Sequence, residues 1–206
     1  MEDWDHANAI IYDEASDSYY ISLRNQDAII KVNRTDETLT WILGTPANWE
    51  LPWQDKLLEP AGDLLWPFHQ HAVQLTPQGI CLFDNGTDHR AAAYEPYDDE
   101  QPQWSRAVMY AIDEAQQEVS EIWSYGDPAG DNFYFSYGFG DADWQPVTGN
   151  VLITNGDTWE AGNIISGQIM EVTPEGERVF DLIVRSSEPD SVNAVYRAER
   201  IADIRQ

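Results

Sequence analysis

The sequence predicts an all-β fold, and three observations carry that expectation. Aromatic residues make up 12% of the chain and gather with β-branched ones in short runs, a composition that suits a pleated, half-buried surface. Long stretches of Ala, Leu, Glu and Lys, the substance of helices, are missing. The strand-like runs also recur in three segments built on one plan, which points to a repeat architecture. With 206 residues, 42% of them apolar, and nine Trp, the chain can bury a sizeable core.

The first unit spans about residues 8–44. Ala9–Tyr12, Tyr19–Ser22, Ala28–Val32 and Leu39–Leu43 read as its strands, separated by Asp- and Asn-rich turns. The second, about 70–126, reads as Ala72–Leu75, Gly79–Phe83, Arg106–Ile112 and Val119–Tyr125. The third, about 140–185, repeats the plan through Val151–Thr154, Gln168–Val172 and Arg178–Ile183. Trp41 and Trp123 open equivalent stretches of the last strands of units one and two, and Phe180 takes that place in unit three. Asn85-Gly86 and Asn155-Gly156 are expected to turn the chain after the second strand of units two and three.

Four-stranded units at this spacing predict β-propeller blades, here three of them in a single partial propeller domain over residues 1–206. The insertions 45–67, 87–104 and 127–139 are rich in Pro, Trp, Asp and Gly, and loops of that length are functional or unstructured. Residues 192–204 read either as a strand opening a further blade or as a short helix. Three blades do not close a ring. The expectation is therefore part of a larger propeller, a small relative, or a unit that associates with another copy of itself or with missing blades. Met1 stands directly before the first motif, which suggests a truncated reading frame.

Acidic residues number 37 against 11 basic ones, a net charge of −26. Such a surface repels nucleic acid and anionic lipid, so neither is an expected partner. Any anion site must be a local cluster of the few cations. The acidic run Tyr97-Asp98-Asp99-Glu100 lacks the spacing of a dedicated calcium loop. Cys81 is alone and sits in the apolar run Ile80-Cys81-Leu82-Phe83, as a buried strand residue would. No apolar run has the length of a membrane span, and Met1-Glu2-Asp3-Trp4 is not a signal peptide; complete as written, the chain would be cytoplasmic.

Three segments concentrate the chemistry. Asp5-His6-Ala7-Asn8, Ser22-Leu23-Arg24 and Phe68-His69-Gln70-His71 place imidazoles, an amide and a guanidinium at strand edges. Such groups can grip a tetrahedral oxyanion and offer a nitrogen nucleophile, as transfer of a sulfuryl or phosphoryl group requires. Each residue also has a plain reading. His71 and His6 can be strand-edge histidines bonded to backbone, Arg24 a partner for one of many carboxylates, and Asn8 a turn residue. His69 reads as a loop residue, His89 as solvated, Asp84-Asn85-Gly86 as a hairpin turn and Arg106 as a strand-surface cation. His69, His71 and Asp84 suggest zinc as an alternative, because alternation along a strand puts both rings on one face. A third ligand at convincing spacing is missing, and neither a phosphate-cradling loop nor a nucleophile elbow is present, so no metal or cofactor is expected.

The landmarks Asp5-x-x-Asn8, Ser22-Leu23-Arg24, Trp41-Ile42-Leu43-Gly44, Gln70-His71 and Phe83-Asp84-Asn85-Gly86 continue through Ser105-Arg106-x-Val108-x-Tyr110-x-Ile112-Asp113-Glu114 and Trp123-Ser124-Tyr125-Gly126. In this order and spacing the chain resembles the C-terminal part of the bacterial arylsulfate sulfotransferase family. The resemblance implies a six-bladed propeller that moves a sulfuryl group from an aryl sulfate to a phenol, and a periplasmic location. It implies His71 as the nucleophile of a sulfohistidine intermediate, with His6, Asn8 and Arg24 holding the sulfate and helping the phenolate leave. Ser136 takes the place of a hydroxyl residue in the family's substrate site. The family's earlier active-site histidine, cysteine pair and secretory signal are not in this sequence. The alternative expectation is a non-catalytic propeller piece that serves as a binding or assembly module.

Overall fold

A computed structural model describes residues 3–47, 49–87, 103–127, 134–160, 163–185 and 194–201. Strands β1 (Ala7–Asp13), β2 (Ser18–Leu23), β3 (Ala28–Asn33) and β4 (Leu39–Gly44) form one antiparallel sheet in sequence order. The predicted Asp and Asn turns form for a local reason: a short acceptor side chain captures the amides that follow it. Asp13 Oδ1 accepts from the Ala15 amide (3.1 Å), Asn33 Oδ1 from Thr35 (2.9 Å), and Asp113 Oδ1 from Ala115 (3.0 Å).

The middle sheet takes β5 (Glu59–Pro60), β6 (His71–Thr76), β7 (Gly79–Asp84), β8 (Arg106–Asp113) and β9 (Glu118–Tyr125) in the order β5-β9-β8-β7-β6. The insertion 45–67 supplies β5, which pairs in parallel with the outer edge of β9. The third sheet holds β10 (Gly140–Trp144), β11 (Val151–Glu160), β12 (Asn163–Val172) and β13 (Arg178–Arg185). Three four-stranded meanders, one with an added edge strand, are the partial propeller the sequence predicts. Their first strands β1, β6 and β10 pack side by side along one edge.

The middle sheet is covered on both faces. Successive side chains on a strand point to opposite sides, so the unbroken apolar run of β7 feeds two cores. Ile80 and Leu82 join Tyr20, Ile29, Trp41 and Leu43 of the first sheet. Cys81 and Phe83 join Ala142, Val151, Ile153 and Met170 of the third. Polar stitches cross each junction: Trp41 Nε1 donates to Glu114 Oε1 (2.8 Å), and Trp123 Nε1 to Pro174 O (3.0 Å).

Several expectations are corrected. Asn155-Gly156 does not end a strand: β11 runs through it to Glu160, with a register irregularity just beyond. Gly156 serves close approach instead, since a Cβ there would lie 2.5 Å from Val195 O and 2.6 Å from Phe139 Cβ. Asn85-Gly86 forms no hairpin, because the connection to β8 is the long insertion that ends near Trp104. Residues 194–201 form neither strand nor helix. They lie against the third sheet, with the Val195 amide donating to Gly156 O (2.8 Å) and Arg200 Nε to Glu171 (2.8 Å). Arg106 is no surface cation. It is 1% exposed and bonds Asp84 Oδ2 (2.9 Å), Glu121 Oε2 (2.8 Å), Leu65 O (2.8 Å) and the Tyr110 hydroxyl (2.9 Å). His89 and the run 97–100 lie outside the described residues.

Candidate functional site

The candidate residues other than Ser136 lie where β1 and β6 begin and where β2 ends, and a single amide does much of the joining. Gln70 is fully buried, and its Nε2 reaches Ser22 Oγ (3.1 Å), Leu23 O (3.2 Å) and Ala28 O (3.0 Å) on the first sheet. Its main-chain carbonyl accepts from Asn8 Nδ2 (2.7 Å). The residue before His71 is thereby clamped to the sheet that carries Asn8 and Arg24. On its other side Phe68 N donates to Asp84 Oδ1 (2.9 Å), and His69 N to Asp27 Oδ1 (2.7 Å). The sequence reading assigned no role to Gln70 or Asp27. Their signal was a landmark pair and a turn residue, and neither discloses a contact across two sheets.

Backbone irregularities aim the side chains. β6 shifts register between His71 and Gln74, and Ala72 sits at φ 56°. β1 shifts between Ala7 and Ala9, with His6 at φ 44°. Such bulges re-aim side chains at sheet edges and are common beside active sites. His69, at φ 53°, stands outside the strand, with its Nδ1 2.6 Å from Thr87 Oγ1. The alternation argument for a His69–His71 zinc pair therefore does not apply, and Asp84 is taken up by Arg106 and the Phe68 amide.

His71 is 4% exposed. Its Nδ1 lies 2.7 Å from Asn85 Oδ1 and 3.1 Å from His69 O. Burial pulls its pKa down to about 4, opposed by the bond to Asn85 and assisted by the positive charges of Arg24 and His6. At neutral pH the ring is uncharged, with a lone pair on one nitrogen. Among the described residues Nε2 makes no hydrogen bond.

Arg24 and His6 are near enough for their charges to act on His71, and Asn8 bonds the main-chain carbonyl of the neighbouring Gln70. The Arg24 amide donates to His6 O (3.1 Å), which fixes these two neighbours to each other. The Arg24 guanidinium gives Nη1 to Asn25 Oδ1 (2.8 Å), its other donors being unbonded among the described residues. Asn8 Oδ1 is buried without a partner among the described residues. His6 is 44% exposed on its side chain and pairs with Asp3 (2.5 Å), a carboxylate that orients an imidazole.

Ser136, expected as a substrate contact, is fully buried, with its hydroxyl bonded to Asp157 Oδ1 and Phe139 O and accepting from the Gly156 (3.2 Å) and Asp157 (3.1 Å) amides. In this arrangement it braces the loop before β10. A neighbouring open cavity of about 720 Å³ runs along β1, β6 and β10 and includes Asn8, Asp141, Asp143 and Arg197 in its wall. Burial pushes the Asp141 carboxyl up to about 7 despite Arg197 at 3.5 Å, so desolvation outweighs this half-exposed ion pair.

The sequence profile of the family described as Arylsulfotransferase (ASST) matches residues 1–197. The arylsulfate sulfotransferase AssT of Escherichia coli O6:H1 (strain CFT073) is 32% identical over 154 residues, covering 64% of this chain and 24% of that protein. The protein of the same name from Lelliottia amnigena matches with the same identity and coverage. The chain thus spans about a quarter of the length of these relatives.

Proposed function

The chain belongs to the arylsulfotransferase family, and from that premise we propose that it moves a sulfuryl group from an aryl sulfate to a phenol, with His71 carrying the group between them. The lone pair of the neutral His71 ring attacks sulfur. The sulfur–oxygen bond to the donor breaks, and its electron pair leaves on the phenolate, which takes a proton from His6. The incoming phenol returns a proton to His6, its oxygen attacks the sulfuryl group, and the nitrogen–sulfur bond gives its pair back to His71. Splitting one difficult transfer into two easier ones is the benefit of a covalent intermediate.

The other residues act on charge. Arg24 has the planar fork that grips two sulfuryl oxygens. Asn8 keeps one N–H beyond the bond to Gln70. These local donors oppose the repulsion that a chain of net charge −26 exerts on an anionic substrate. No cofactor enters the scheme.

The observation that carries this reading is a buried imidazole, His71, whose Nδ1 is held by Asn85 Oδ1 and His69 O while Nε2 makes no hydrogen bond among the described residues. Intact mass spectrometry after brief exposure to nitrophenyl sulfate tests it. The expected result is a single-sulfuryl adduct on the native chain and none on His71→Ala. The second reading, a non-catalytic binding module, draws support from the exposure of His6. A folded native chain that takes up no sulfuryl group would favour that reading.

A further inference from the structure

We propose that Asn85 is the positioning residue of this site: it holds His71 with its proton on Nδ1, so that Nε2 presents the lone pair to the sulfuryl group. The chemical purpose rests on the sulfotransfer reading; the geometry does not.

Asn85 is fully buried just beyond the end of β7. One end of its amide faces two backbone carbonyls, Ser136 O at 2.9 Å and Phe139 O at 3.1 Å. A carbonyl oxygen only accepts, so that end is the NH2 group, and both of its hydrogens are spent. The other end is Oδ1, an acceptor, 2.7 Å from His71 Nδ1. The proton between them must come from the ring. His69 O, 3.1 Å from the same nitrogen, accepts as well. A neutral imidazole has one N–H, so Nε2 is left bare.

The amide cannot turn over. The carbonyls that orient it belong to the loop braced by the Ser136 hydroxyl, and Ser105 Oγ donates to the main-chain carbonyl of Asn85 (2.8 Å) and lies 3.4 Å from Ser136 O. A free histidine side chain in water prefers its proton on Nε2, which would block that nitrogen. Asn85 reverses the preference by placing an acceptor where only Nδ1 can reach it.

The same contact serves the transfer. As Nε2 bonds to sulfur and the donor's sulfur–oxygen bond breaks, the ring becomes a cation that still carries its Nδ1 proton. The bonds from Nδ1 to Asn85 Oδ1 and His69 O become charge-assisted and strengthen. When the acceptor phenolate takes the sulfuryl group, the pair returns to Nε2 and the ring is neutral again. No proton leaves Nδ1 at any point.

The test is long-range proton–nitrogen NMR of the full chain with 15N-labelled histidine at neutral pH, the His71 signals being those absent from His71→Gln. The expected native spectrum has a protonated Nδ1 and a bare Nε2. In Asn85→Leu the ring should shift toward Nε2–H, and the rate of sulfuryl uptake should fall at least tenfold with little change in the donor concentration at half-saturation. A native proton on Nε2 overturns the proposal, as does a folded Asn85→Leu with an unchanged tautomer. If that variant does not fold, the native spectrum alone decides. Absence of any adduct with the expected tautomer refutes sulfotransfer and leaves the role of Asn85 standing. An adduct with the opposite tautomer refutes only the role of Asn85.

Discussion

The middle and third sheets share a strand plan and differ in what covers them. Ile80 to Phe83 on β7 are at most 1% exposed, since a neighbouring sheet lies on each side. On β13 the apolar residues Val179, Phe180, Leu182 and Ile183 stay 40% to 52% exposed. The sequence echo between Trp41 and Phe180 hides a large physical difference, because Trp41 is 1% exposed. What packs against each strand face, more than composition, decides how much an apolar side chain contributes: Val151 and Ile153 on β11 of the same third sheet are buried. Such packing also locates the candidate chemistry: His71 lies on the doubly covered sheet, and its burial is what keeps it neutral.

The largest test compares two arginines. Arg106→Ala strips Asp84 and Glu121 of a buried partner and should cost about 4 kcal/mol, because an uncompensated buried charge remains. Arg178→Ala, which removes a partly exposed pair with Asp181 and two bonds to the Tyr125 hydroxyl, should cost about 1 kcal/mol. Urea unfolding of both variants measures the contrast, and similar costs would dissolve it. Leucines give the next test. Leu82→Ala on β7 should lose about 3 kcal/mol to lost burial and a residual cavity, and Leu182→Ala on β13 under about 0.5 kcal/mol.

The smallest effect sharpens the point by titration. The His71 pKa falls from the ordinary 6.5 to about 4 on folding, so the unfolded chain binds the extra proton between those values. Stability is then lost as pH falls, by about 2 kcal/mol between pH 7 and pH 5. Asp141, with its folded pKa raised to about 7, acts in the opposite sense over the same range. The difference between native and His71→Gln isolates the histidine. Parallel pH curves for the two proteins would show that His71 is not buried as described.

What the sequence determined by itself is what depends on near neighbours. Strand positions followed from alternation and from Asp and Asn turns, whose bonds close over two or three residues. The blade repeat followed from ordered landmarks, and the grouping of His6, Asn8, Arg24 and His71 was what the family resemblance implied. Local reasoning failed where a side chain answers to distant partners. Asn85 reads as a turn residue from its neighbour Gly86, yet its amide is fixed by contacts 14 residues away at His71 and 51 away at Ser136. Gln70 spans 48 residues to Ser22, and Arg106 reads as a surface cation until Asp84 and Glu121 close on it. A buried polar group must find its partners in whatever the packed sheets bring near it. That pairing is set by tertiary contact alone, and here it governs the state of the histidine on which the chemistry turns.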